Sequence, residues 1–282
     1  STPPRAPVAA RAEMAKARAC GANGAKGGHG RSATGKSVTE FAKAINARVC
    51  GHARDGDMQG LLDYAASQRD HMNHVNLTTA MHKLAQLAKD GGVADHLGDW
   101  RFAVLHDRVQ MALELQSGES LLPGAEVLPR CWATLAWSYA TLGVPGPCLR
   151  PIFGAIAELS VPNLGAFNPV EFTNLVWAFA KAQVPDAAFF EAARAHAARS
   201  LAHLSAQHLS TLVWALVTAQ HHQAGILCKL AEKFIWQMGA ERVDPVAVSN
   251  LMWGLATAKV HPKMSLLQRI GDAASELLPA FK

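Results

Sequence analysis

The 282-residue chain is short of charge. Asp, Glu, Lys and Arg make up 17 % of it, below the usual quarter, while apolar residues make up 50 %. That balance excludes wholesale disorder and demands a core. The five cysteines, Cys20, Cys50, Cys131, Cys148 and Cys228, are odd in number and form no Cys-x-x-Cys pair. A disulfide framework is therefore excluded, and a reducing compartment fits best. No apolar run reaches the length of a transmembrane helix. No stretch alternates apolar and polar with period two, so no half-buried strand is expected.

Acid is almost missing from residues 1–36. They hold Arg5, Arg11, Lys16, Arg18, Lys26, Arg31 and Lys36 against Glu13 alone, a net +6. Residues 37–282 hold 20 basic and 21 acidic residues, a net −1, so the whole excess of +5 lies in the first segment. That segment is rich in Ala and Gly and has no β-branched run to build a core. It is expected to be an extended basic arm, 1–36, ahead of a helical-repeat domain, 37–282. Two readings of the arm stand. One is a flexible linker or the remnant of a transit peptide, which shares this composition. The other is an arm laid on nucleic-acid phosphate.

What is present is a repeat. Ala133-Thr-Leu-Ala-Trp137-Ser-Tyr-Ala returns as Thr173-Asn-Leu-Val-Trp177-Ala-Phe-Ala, as Ser210-Thr-Leu-Val-Trp214-Ala-Leu-Val and as Ser249-Asn-Leu-Met-Trp253-Gly-Leu-Ala. Four tryptophans thus share one register, and a weaker copy around Thr78–Ala85 puts His82 in the anchor place. Each anchor segment follows a cap or proline signal (Asn168-Pro169, Ser205, Asp244-Pro245) and ends near Val144-Pro145, Val184-Pro185 or Val260-His261-Pro262. A second helix is expected after each, over 187–201, 225–238 and 263–278. Two-helix repeats of about 38–40 residues predict an all-α, right-handed α-solenoid of five or six helical pairs. The anchor helices are apolar nearly all round, so Trp137, Trp177, Trp214 and Trp253 read as repeat-core residues rather than base-stacking platforms.

Leu-Ser-Thr-Leu-Val-Trp-Ala-Leu at 209–216 and Val-Ser-Asn-Leu-Met-Trp-Gly-Leu-Ala at 248–256 resemble the signature helix of the octotricopeptide-repeat family. These are helical-repeat RNA binders found chiefly in green-algal organelles. The segment from Leu61 to Leu87 also resembles the N-terminal repeat of such arrays, and the resemblance spans roughly residues 57–282. Val217 and Thr218 depart from the usual Ala after the anchor Leu, and His82 replaces Trp. The resemblance implies RNA binding without catalysis, in a mitochondrion or alternatively a chloroplast.

Within the shared register, the residues three before, one after and four after the anchor share a helix face. They are Thr79/Lys83/Gln86, Thr134/Ser138/Thr141, Asn174/Ala178/Lys181, Thr211/Ala215/Thr218 and Asn250/Gly254/Thr257. This small, polar stripe has two readings: Lys83, Asn174, Lys181, Thr211 and Asn250 bond to base edges, or the small residues let helices approach closely. The second helices add Arg150, Arg194, Arg199, Lys229, Lys233 and Arg269, which either track phosphates or line a solvated face.

Other signals are weaker. Gly30-Arg-Ser-Ala-Thr-Gly-Lys-Ser37 matches the phosphate-loop pattern, but Ala22 to His29 cannot form the strand that such a loop follows. His71 and His74 with Asp70, and the adjacent His221 and His222, lack a four-ligand spacing. Cys131 and Cys228 read as small buried hydrophobes. No cofactor, metal, membrane or small-molecule substrate is expected. The expected partners are RNA, foremost rRNA, and neighbouring ribosomal or ribonucleoprotein proteins. The function expected is that of a structural subunit of a mitochondrial ribosome. The alternatives are a free-standing factor for maturation, stability or translation of one organellar mRNA, or a protein-binding scaffold.

Overall fold

Twelve α-helices are formed by the residues that the computed structural model describes, which are 33–91, 95–119, 126–238, 243–261 and 263–277. No strand occurs among these residues. The helices are α1 (Ala33–Arg54), α2 (Met58–Gln68), α3 (His74–Gly91), α4 (Trp100–Glu119), α5 (Pro129–Leu142) and α6 (Gly146–Ser160). After a 3-10 segment come α7 (Pro169–Ala182), α8 (Ala187–Ser200), α9 (Ala206–Thr218), α10 (Ala224–Met238), α11 (Pro245–Thr257) and α12 (Met264–Leu277). No helix of the described residues is long and apolar enough to cross a membrane. α1 starts at Ala33, so the last four residues of the expected arm are helical. The phosphate-loop pattern also runs into this helix.

The chain divides after Pro162 into two compact units. In the first unit α1, α3 and α5 pack side by side in that order. α2, α4 and α6 form a second row, and each odd helix lies against the even helix that follows it. The second unit repeats the scheme: α7, α9 and α11 make one row, and α8, α10 and α12 the other. There α7 meets α8 through the Phe179 ring, stacked on Phe189 with centroids 3.8 Å apart.

The sequence explains where these helices start. Asn168 and Glu171 form a reciprocal capping box on α7, Ser205 and His208 one on α9, and the Asp244 carboxylate accepts from the Val246 N–H of α11. Each cap satisfies backbone donors that the first helical turn leaves without partners. The ends fall near the expected prolines, three to five residues before them in α5, α7 and α11. The residue six after each anchor is left-handed: Gly143 (φ 69°), Gln183 (φ 54°), Gln220 (φ 59°) and Lys259 (φ 54°). The Val184 N–H then donates to the Phe179 carbonyl, that of His221 to Leu216, and that of Val260 to Leu255. These are Schellman closures, and they stop the helices on their own backbone.

Long-range polar bonds, some exposed and some buried, tie the helices together. Asn76 is wholly buried and donates to the Ala42 carbonyl (2.9 Å) and to Asn46 Oδ1 (2.8 Å), tying α3 to α1. His106 Nδ1 lies 3.1 Å from the Tyr139 hydroxyl. Burial pushes the His106 pKa below its ordinary value, against the opposing pull of Asp107. Burial, helped by Arg199, does the same to His196.

Candidate nucleic-acid interface

The anchors form ladders along the odd rows. In the second unit the Trp177 and Trp214 rings are 6.4 Å apart and near parallel, and those of Trp214 and Trp253 are 6.5 Å apart. In the first unit His82 meets Trp137 edge-on at 5.3 Å, so the histidine takes the place its register assigns. Trp137, Trp177 and Trp214 are buried and Trp253 is half-buried, as expected of core residues.

The polar stripe is largely closed. Asn174, Thr211, Asn250 and Lys83 are all buried. Thr211 Oγ1 donates back to the Gln207 carbonyl, Ser138 Oγ to Thr134, and Lys83 Nζ to Gln86 Oε1. These side chains sit inside helix contacts. The close-approach reading is the one the packing supports. A Cβ at Gly254 would collide with Val213 Cγ1 of α9, so glycine lets the two helices approach closely at this position. The stripe surfaces at Lys181 and Thr257, both exposed, at the C-terminal ends of α7 and α11.

Some buried polar atoms of the odd row lack hydrogen-bond partners. They include the indole N–H groups of Trp177, Trp214 and Trp253, the Asn174 amide nitrogen and both carboxamide atoms of Asn250. Groups of this kind are rare in protein interiors.

The cations lie on the even row. Arg150, Arg199, Lys229 and Arg269 are exposed on α6, α8, α10 and α12. Arg194 is half-buried and pairs with Glu191, which occupies its charge. The Lys233 ammonium sits 4.0 Å above the ring of Trp236, itself 63 % exposed. Stripe and cations thus occupy different rows in each unit, not one continuous face. Of the arm, Arg5, Arg11, Lys16, Arg18, Lys26 and Arg31 lie outside the described residues. Lys36 lies in the first two turns of α1.

The remaining signals resolve simply. No group of three or more His, Cys, Asp or Glu side chains able to hold a metal occurs among the described residues. Cys131 and Cys228 are half-buried rather than buried.

Sequence reasoning missed the left-handed cap residues and the space between them. A recess of about 190 Å³ opens at the C-terminal ends of α7 and α9, with Gln183 and Gln220 on its rim. The recurring Val-Pro after the anchor helix marks a helix end in the sequence. It does not reveal a left-handed glutamine.

The class these features define is an all-α protein of consecutively packed helices, arranged as two rows in each unit. No protein-family model matches the chain, and a search of curated proteins returns no match.

Proposed function

We propose that the chain is a non-catalytic RNA-binding protein built as a right-handed α-solenoid, serving as a structural subunit of a mitochondrial ribosome that clamps rRNA or rRNA fragments. The observation that carries this reading is the partition of charge: +6 on residues 1–36 against −1 on the rest. General phosphate affinity belongs to the arm, and the helical rows supply shape. A solenoid requires each helical pair to stack on the next so that odd helices line one wall. The row order within each unit supports that architecture, and so does the shared anchor register. Exposed Arg199, Lys229 and Arg269 add one cation per even helix of the second unit, suited to a backbone passing along that row.

Deletion of residues 1–36 tests the reading. Each phosphate contact to single-stranded RNA contributes about 0.7 to the slope of log affinity against log salt, so losing seven cations should reduce the slope by up to about 5. An unchanged slope refutes the arm on phosphate. Native protein should co-sediment with a ribosomal subunit in a sucrose gradient and shift to lighter fractions after ribonuclease. Heavy sedimentation that ignores ribonuclease points to a protein scaffold instead. Sequence-specific binding to one isolated transcript, without ribosomal co-sedimentation, points to a free-standing factor.

A further inference from the structure

We infer that the recess between the C-terminal ends of α7 and α9 is a pocket for one unpaired nucleobase; this rests on the RNA-binding reading above. Its volume of about 190 Å³ is below the roughly 300 Å³ at which drug-sized pockets begin, which suits one small ring system. Phe179, Val184 and Phe190 lie at its floor, all three buried, and the Phe190 ring stacks on that of His221 at 4.7 Å. The polar lining is Gln183, Thr218 and Gln220, and no lining residue is charged. Such a site suits a flat, neutral group that both donates and accepts hydrogen bonds.

The electrostatics select the same ligand. The carbonyl ends of two helices carry partial negative charge, which repels phosphate and favours amino groups. A carboxamide pairs in two-pronged fashion with the amino and ring-nitrogen edge of adenine. Gln183 and Gln220 are exposed, and neither carboxamide is held by another group among the described residues. Thr218, one of the lining residues, has a buried Oγ1 without a hydrogen-bond partner.

The backbone gives a further reason. Both glutamines occupy left-handed conformations, as does Lys259 at the end of α11, where the equivalent position of α5 carries Gly143. Local rules are broken most often at functional sites.

The test uses the full chain with adenosine monophosphate, ribose 5-phosphate and a single-stranded oligoadenylate. Saturation-transfer NMR should show contact at the base protons of the nucleotide and none for ribose 5-phosphate. The Gln183→Gly/Gln220→Gly variant removes both carboxamides while relieving backbone strain, so its folding is not at risk. It should weaken nucleotide binding at least tenfold, as should Thr218→Ile, which fills the recess. Silent base protons, or unchanged affinity in both variants, overturn the inference. Ribose 5-phosphate binding as well as the nucleotide also overturns it. If oligoadenylate binds the chain while the nucleotide does not, the pocket fails and the RNA reading stands. If the nucleotide binds in a glutamine-dependent way but no RNA does, the pocket stands and the RNA reading fails.

Discussion

Replacing Gln183, Gln220 and Lys259 by glycine should stabilise the second unit. All three sit at φ between 54° and 59°, in the left-handed region. An L-residue there costs about 1–2 kcal/mol from the clash of Cβ with the following carbonyl. Glycine removes the clash but loses about 0.5–1 kcal/mol more chain entropy on folding. The net gain is about 0.5–1 kcal/mol per site. The three side chains are exposed, so no packing is lost, and the Schellman bonds use backbone atoms alone. The sites lie at three successive helix ends and should add, giving about 2 kcal/mol in total. That corresponds to a rise in Tm of about 8 °C for a unit of roughly 120 residues. Gly143 is the internal control: Gly143→Gln should lower the stability of the first unit by about 0.5–1 kcal/mol. Urea titration and thermal melts followed by circular dichroism measure both. A triple variant no more stable than the parent, together with a neutral Gly143→Gln, would refute the backbone-strain argument.

Three further outcomes are expected. Gly254→Ala should destabilise by about 1 kcal/mol despite its better helix propensity, because the new methyl strikes Val213. Combining it with Val213→Ala should recover about 1 kcal/mol relative to the sum of the single changes, and strict additivity in urea titrations would contradict the contact. Asn250→Leu should be neutral or stabilising by about 1–2 kcal/mol, since it removes a wholly buried carboxamide without hydrogen bonds; a marked loss of stability would mean that the carboxamide is satisfied. Burial depresses the pKa values of His106 and His196 in the folded chain, so the unfolded chain binds these protons more readily. Their contribution should be complete above the ordinary histidine value of 6.5 and fall as the pH drops below it. Melts between pH 8 and 5 should show this decline, and His106→Gln/His196→Gln should flatten it.

Much of the architecture was legible because it is written at fixed spacing. The tryptophan register alone identified α5, α7, α9 and α11, and even His82 fell into place beside Trp137. Cap signals at Asn168, Ser205 and Asp244 marked helix starts because capping is chemistry within four residues. The ends were legible from the prolines, but the residue that closes each was not, because a left-handed glutamine looks like any other in sequence. The candidate site was legible only by halves. The stripe was found, but Asn174, Thr211 and Asn250 differ from exposed residues only through what lies against them.

By itself, the sequence determined that this protein is helical, that its helices come as repeated pairs, and that its net excess of positive charge lies in the first thirty-six residues. Those are properties of composition and period, which need no partner in space. Only the tertiary structure decided that the polar stripe spaces helices instead of facing outward, that the cations stand on the other row, and that α7 and α9 leave a recess between their ends. Burial and cavity shape arise from residues far apart in the chain, and no local pattern records them.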